Sequence, residues 1–218
     1  MEKIIAPSLL SADFKNLGEQ IKITEDAGAK ILHFDVMDGV FVPTISFGTP
    51  VLQSIRPITQ QMLDVHLMIQ EPLRLLEDFK KAGADGITIH VEACDNVVET
   101  LDRIKALGMK VGVSIKPDTS VQVLEPLLDK VDMVLIMTVE PGFGGQTLIP
   151  ETLEKVKQVK RIVEGMDQKI DIQVDGGIYP ENVHEVLEAG ANIIVSGSGV
   201  FRGDIGENVK KFKRSFES

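Results

Sequence analysis

Ala27-Gly28-Ala29-Lys30-Ile31-Leu32-His33-Phe34-Asp35-Val36-Met37-Asp38-Gly39 is the stretch from which the fold can be read. A glycine closes an amphipathic segment, and an apolar run follows almost at once. The glycine fits a helix C-terminal cap, where positive φ is easy. The run is continuous rather than alternating, as a parallel strand covered on both faces is. The same junction recurs at Ala82-Gly83-Ala84 before Ile87-Thr88-Ile89-His90, and at Leu107-Gly108-Met109 before Val111-Gly112-Val113. It recurs again at Ala189-Gly190-Ala191 before Ile193-Ile194-Val195. The unit is helix, glycine, strand, repeated along the chain.

Counting outward from these junctions gives strands near residues 4–6, 31–36, 63–67, 86–90, 110–115, 133–137, 170–174 and 193–196. Helical patterns fill the gaps near 13–27, 47–55, 72–82, 95–107, 119–129, 150–164, 180–189 and 206–216, with Pro72 and Pro150 at early helix positions. Alternating pairs in this number predict an α/β fold, a (β/α)8 TIM barrel forming a single domain over residues 1–218. The competitor is a doubly wound open sheet. No Gly-x-Gly-x-x-Gly follows the first strand, and no shift of composition marks a second domain.

Composition narrows the function classes. Hydrophobic residues are 43% and charged residues 26% of the chain, ordinary for a soluble globular protein. A net charge of -10 argues against nucleic acid as a partner. The single cysteine, Cys94, excludes an internal disulfide and fits a reducing compartment, so a cytoplasmic location is expected. Met1-Glu2-Lys3 runs straight into Ile4-Ile5-Ala6-Pro7 with no signal-peptide pattern. No apolar run approaches the roughly 20 residues of a membrane span, so no membrane partner is expected.

On a barrel, chemistry sits at the C-terminal ends of the strands. His33 and Asp35, two apart, share one face of their strand. Met62-Leu63-Asp64-Val65-His66-Leu67-Met68 brings a second histidine, and Ile170-Asp171-Ile172-Gln173-Val174-Asp175-Gly176-Gly177 ends in a carboxylate and two glycines. His33, Asp35, His66 and Asp175 therefore fall at strand ends and make a pocket suited to a divalent metal. His90 also falls at a strand end, as a donor behind a ligand or as a satisfied core histidine. His184 falls within a helix and reads as a solvated surface residue.

Glycine-rich segments follow the last three strands: Thr138-Val139-Glu140-Pro141-Gly142-Phe143-Gly144-Gly145-Gln146, then Asp175-Gly176-Gly177-Ile178, then Ser196-Gly197-Ser198-Gly199. Glycine lets successive amides converge on an anion, and the loops after strands 7 and 8 are the usual phosphate site on this fold. The first of these loops is long enough to serve as a lid.

With these residues in place, the chain resembles the ribulose-phosphate 3-epimerase family essentially end to end. The resemblance rests on Ala6-Pro7-Ser8, the segment His33 to Pro43, His66-Leu67-Met68, Met137 to Gln146, Asp175-Gly176-Gly177 and Gly197-Ser198. It implies a metal-dependent isomerase that interconverts D-ribulose 5-phosphate and D-xylulose 5-phosphate through an enediolate. His33, Asp35, His66 and Asp175 match the family's ligands for one divalent ion, and Asp35 and Asp175 match its acid/base pair. Ser8, His66, Asp175, Gly142, Phe143, Gly144, Gly145, Gly176, Gly177, Ile178, Gly197 and Ser198 match positions that hold substrate and phosphate. Met37, Met68 and Met137 match the methionines lining the reacting end. Zinc is the expected ion, with iron, manganese and cobalt fitting the same donors; no nucleotide cofactor is expected, and a homo-oligomer is.

Thr44, Lys116 and Leu148 depart from the residues common in that family and leave substrate choice open. Lys116 is expected to be solvated rather than directed at the pocket. A phosphorylated ketohexose such as D-allulose 6-phosphate is the nearest alternative substrate, and a non-catalytic phosphate-binding barrel is the alternative of another class. Related barrels that decarboxylate orotidine phosphate carry Asp-x-Lys-x-x-Asp where this chain has Asp64-Val65-His66-Leu67-Met68.

Overall fold

In the computed structural model, which describes residues 1–217, the apolar runs form the parallel strands β1 (Ile4–Pro7), β2 (Ile31–Met37), β3 (Met62–Met68), β4 (Gly86–His90), β5 (Lys110–Ile115), β6 (Met133–Met137), β7 (Asp171–Asp175) and β8 (Ile193–Ser196). They hydrogen-bond in the order β1-β8-β7-β6-β5-β4-β3-β2. A parallel bridge between Ser8 and His33 brings the two ends of that order together. The eight-stranded sheet is thus a nearly closed barrel. Around it run α1 (Leu17–Asp26), α2 (Thr49–Ile55), α3 (Leu76–Ala82), α4 (Val97–Ala106), α5 (Thr152–Glu164), α6 (Val183–Ala189), α7 (Ser198–Phe201) and α8 (Ile205–Glu217).

The strand alternation divides the molecule into two interiors. Leu32, Phe34 and Val36 of β2 point outward and join Leu63, Val65 and Leu67 of β3 in the main core between sheet and helices. His33 and Asp35, on the opposite face, are equally buried but point into the barrel. The lower part of the barrel is plugged by Ala6, Ile31, Ile193 and Val195 with Ile4, Met62 and Met133. The polar groups lie above this plug, toward the strand C-termini. Gly28, Gly83, Gly108 and Gly190 all take positive φ at the junctions where the sequence placed helix caps.

Several elements differ from the expectation. Residues 121–130 form a 3-10 helix, not an α-helix, and Pro126 lies inside it. Proline offers no N–H and its ring crowds the carbonyl four residues back, so α bonding is blocked there. The helices expected from 13 and 72 begin instead as 3-10 turns, Phe14–Asn16 and Pro72–Leu75, before α1 and α3 take over. Pro150 precedes α5 rather than sitting inside its first turn. The short α7 follows β8 almost directly and was not expected. β7 ends at Asp175, so that carboxylate is the last residue of its strand, paired with Met137. No helix among the described residues is long and apolar enough to cross a membrane.

Candidate active site

His33 and Asp35 on β2, His66 on β3 and Asp175 on β7 converge above the apolar plug, and one donor atom from each lies within 4.8 Å of all the others. His33 Nε2 is 3.2 Å from Asp35 Oδ1 and 3.8 Å from Asp175 Oδ2. His66 Nδ1 is 3.0 Å from Asp35 Oδ1 and 3.7 Å from Asp175 Oδ2. The two ring nitrogens are 3.3 Å apart. A tetrahedral ion with bonds of about 2.0–2.1 Å needs donors roughly 3.3–3.4 Å apart. The observed separations bracket that value, so the buried cluster has both the donor types and the spacing to hold a divalent metal.

Buried polar neighbours hold these donors in place. His33 Nδ1 donates to Asp64 Oδ2 at 2.9 Å, which turns Nε2 toward the cluster. Gln173 Nε2 reaches the same Asp64 oxygen from β7, at 2.7 Å. Ser8 Oγ donates to Asp35 Oδ2 at 2.5 Å, so Oδ1 alone faces the histidines. His66 Nε2 is 2.8 Å from His90 Nε2, and His90 Nδ1 lies 3.3 Å from Glu92 Oε2.

The charges follow from this packing. Burial alone would lower the His33 pKa, but Asp35 and Asp64 outweigh it and raise it well above the ordinary value. Burial likewise opposes ionisation of Asp35, yet His33 and His66 hold its carboxyl below the usual carboxylate range. Hydrogen bonds to Asp175 and Asp35 raise His66 against its burial. Burial pushes His90 down to about 4, despite Glu92, so its ring is neutral at pH 7. Glu92 is held down to about 2, because His90, the Lys116 amide and the Thr119 hydroxyl together outweigh burial.

Above the cluster opens a cleft lined by Ser8, Asp35, Met37, Met68, Met137, Asp175, the loop Gly142 to Gln146, Gly176 to Ile178, and Gly197 with Ser198. Gly176 and Gly177 take φ of 119° and 70° in succession. A Cβ on Gly177 would run into the Leu148 backbone, so only glycine permits this close approach. Neighbouring loops are tied together: Thr138 Oγ1 donates to Gly176 O at 2.6 Å, Ser196 Oγ donates to Ile178 O at 2.7 Å, and the Tyr179 and Ser198 hydroxyls are 2.7 Å apart. Gln146 Nε2 donates to Glu140 O and Phe143 O, at 2.6 and 2.9 Å, closing the loop after β6 on itself with Phe143 exposed at its tip.

The residues singled out from sequence are therefore gathered at one end of the barrel, with His66 and His33 fully buried. His184 is exposed on α6, as expected. Lys116 differs from expectation: its Nζ sits 4.0 Å from the centroid of the Phe41 ring, a cation–π contact, and the residue is half-buried. Leu148 belongs to the core. Asp64, Gln173 and Glu92 also belong to the site, though no motif along the chain marks them. Asp64 and Gln173 meet across the barrel, 109 positions apart, so no local signal pairs them.

A 3-keto-L-gulonate-6-phosphate decarboxylase from Vibrio cholerae superposes with a TM-score of 0.71 at 14% identity, covering 100% of this chain and 98% of that one, which shows the shared barrel fold alone. The ribulose-phosphate 3-epimerase of Bacillus subtilis is 50% identical over 198 residues, 90% of this chain and 91% of that protein. That of Escherichia coli K12 is 45% identical over 200 residues, 91% and 88% of the two chains. The model of the ribulose-phosphate 3 epimerase family matches residues 4–201, and the chain belongs to that family.

Proposed function

We propose that this chain, acting as one catalytic domain, interconverts D-ribulose 5-phosphate and D-xylulose 5-phosphate, with Asp35 and Asp175 as the proton-transferring pair. The observation that carries the reading is the convergence of two carboxylates from non-adjacent strands, β2 and β7, on one buried donor cluster beneath a glycine-lined cleft. Inverting a carbon next to a ketone needs a proton removed from one face and another delivered to the opposite face. Carboxylates on β2 and β7 are disposed to flank a substrate lying over the cluster. Ser8 holds Asp35 by a charge-assisted hydrogen bond, which fixes the direction of its free lone pairs.

His33, Asp35, His66 and Asp175 would hold one divalent ion, zinc for its redox stability, which when bound supplies Lewis-acid stabilisation of the negative charge that develops on the substrate oxygens. Met37, Met68 and Met137 form the apolar wall of the cleft and keep water from the reacting carbon. At the far end, backbone amides of Gly144, Gly145, Gly177, Gly197 and Ser198 would bind the phosphate, the first amides of α7 having no intrahelical acceptor. The loop carrying Phe143 would close over the bound sugar.

The test is metal analysis together with rates on ribulose 5-phosphate and allulose 6-phosphate side by side. One ion per chain and preference for the pentose are expected. A metal-free enzyme of full activity overturns the metal centre, and preference for the hexose moves the substrate.

A further inference from the structure

We propose that Glu92 and His90 are positioning residues: a two-link hydrogen-bond relay that keeps the proton of His66 on Nε2 and leaves Nδ1 bare for the metal. The inference rests on the metal-binding reading of the cluster and extends it to residues that touch neither metal nor substrate.

The polarity of the relay follows from its outer end. Glu92 Oε1 accepts from the Lys116 amide at 2.8 Å and from the Thr119 hydroxyl. Lys155 Nζ in turn donates to the carbonyls of Lys116 at 3.3 Å, Thr119 at 2.5 Å and Pro117, which pins this loop to α5. With Oε1 occupied, Oε2 is the atom that faces His90 Nδ1. A carboxylate can only accept, so Nδ1 must carry the His90 proton. His90 Nε2 and His66 Nε2 lie 2.8 Å apart, close enough to share a single proton, which His66 donates and His90 accepts once His66 Nδ1 is given to the metal. His66 Nδ1, 3.0 Å from Asp35 Oδ1 and 3.7 Å from Asp175 Oδ2, is then the nitrogen that gives its lone pair to the ion when the metal is bound. A histidine kept only to fill space has no need of both ring nitrogens, whereas both of His90's are engaged and its ring stacks on His66 at 5.0 Å.

Glu92→Gln gives the sharpest test. The Lys116 amide and Thr119 hydroxyl will hold the new amide oxygen, which turns the NH2 toward His90 Nδ1. His90 must then accept at Nδ1 and donate from Nε2, and His66 is driven to protonate Nδ1, the metal-facing nitrogen. Zinc affinity, measured by chelator competition, should fall about 10- to 100-fold. His90→Leu removes the acceptor and should fall comparably, whereas His90→Gln restores one and should recover most of the loss. In the zinc-loaded wild type, 15N NMR should find the His90 proton on Nδ1.

Wild-type zinc affinity in both Glu92→Gln and His90→Leu, or a His90 proton on Nε2 in the wild type, overturns the relay. A wild-type chain that binds no zinc overturns the metal centre itself. The two failures are thereby distinguished.

Discussion

Along β2, β3 and β4 the rim of the barrel presents buried side chains that hold one another: Asp64 holds His33, Ser8 holds Asp35, and Glu92 holds His90, which holds His66. Across the barrel, after β6, β7 and β8, the rim presents glycine turns, and beyond Asp175 its side chains tie loops together rather than facing the cleft with charge. The difference reflects two chemical tasks. Proton transfer and metal binding need ionisable atoms at defined positions, and a buried ionisable group persists only when partnered. Holding a phosphate needs several N–H groups aimed at one point, and backbone supplies those once side chains are out of the way. The two halves should therefore fail in different ways.

The largest effect is expected in the side-chain half. His33→Ala should lose metal and activity together; loss of Lewis-acid stabilisation worth several kcal/mol corresponds to about a thousandfold in kcat/KM. Chelation of the wild type should do the same and be reversed by added zinc, while His184→Ala should match wild type in both assays. Retention of stoichiometric metal by His33→Ala would break the comparison at its strongest point.

Asp175→Asn comes next. Shown first to retain its metal, it should lose about 10²- to 10⁴-fold in epimerisation. Exchange of the carbon-3 proton in deuterated water should outrun epimerisation from one substrate, and Asp35→Asn should reverse that bias. A metal-loaded Asp175→Asn at the wild-type rate removes the two-carboxylate mechanism.

The backbone half is broken by shape, not charge. Gly177→Ala puts a methyl against the Leu148 backbone at a positive φ. It should lower kcat/KM on the phosphorylated sugar about a hundredfold, mostly through KM, while leaving zinc affinity at the wild-type value. A fall in zinc affinity would show that the halves are not independent.

Ser8→Ala should be the smallest effect. Losing one charge-assisted hydrogen bond to Asp35 is worth about 1.5–3 kcal/mol, or roughly 10- to 100-fold in rate. An unchanged rate would mean that packing alone aims the Asp35 carboxylate.

Much of this was legible along the chain because the periodicities are local. Continuous apolar runs, four of them after glycine caps, reveal each strand to within a residue or so. His33 and Asp35 betray a shared face by being two apart, and strand ends mark the chemical end of a barrel. Local signals also misled where one residue overrode its neighbours: the apolar pattern of residues 121–130 reads as an α-helix, but Pro126 forbids it.

What tertiary structure alone decided is which distant groups meet. Asp64 is shared by His33 from the neighbouring strand and Gln173 from across the barrel, and neither pairing has a sequence spacing to betray it. Lys116 looks like a solvated cation until the β2–α2 connection brings Phe41 beneath it. His90 stays ambiguous until the loop after β5, pinned by Lys155, turns Glu92 toward it. Strand identity is written in short-range hydrophobic pattern, whereas the direction of a buried proton depends on acceptors contributed by segments remote in sequence, and barrel closure brings those together.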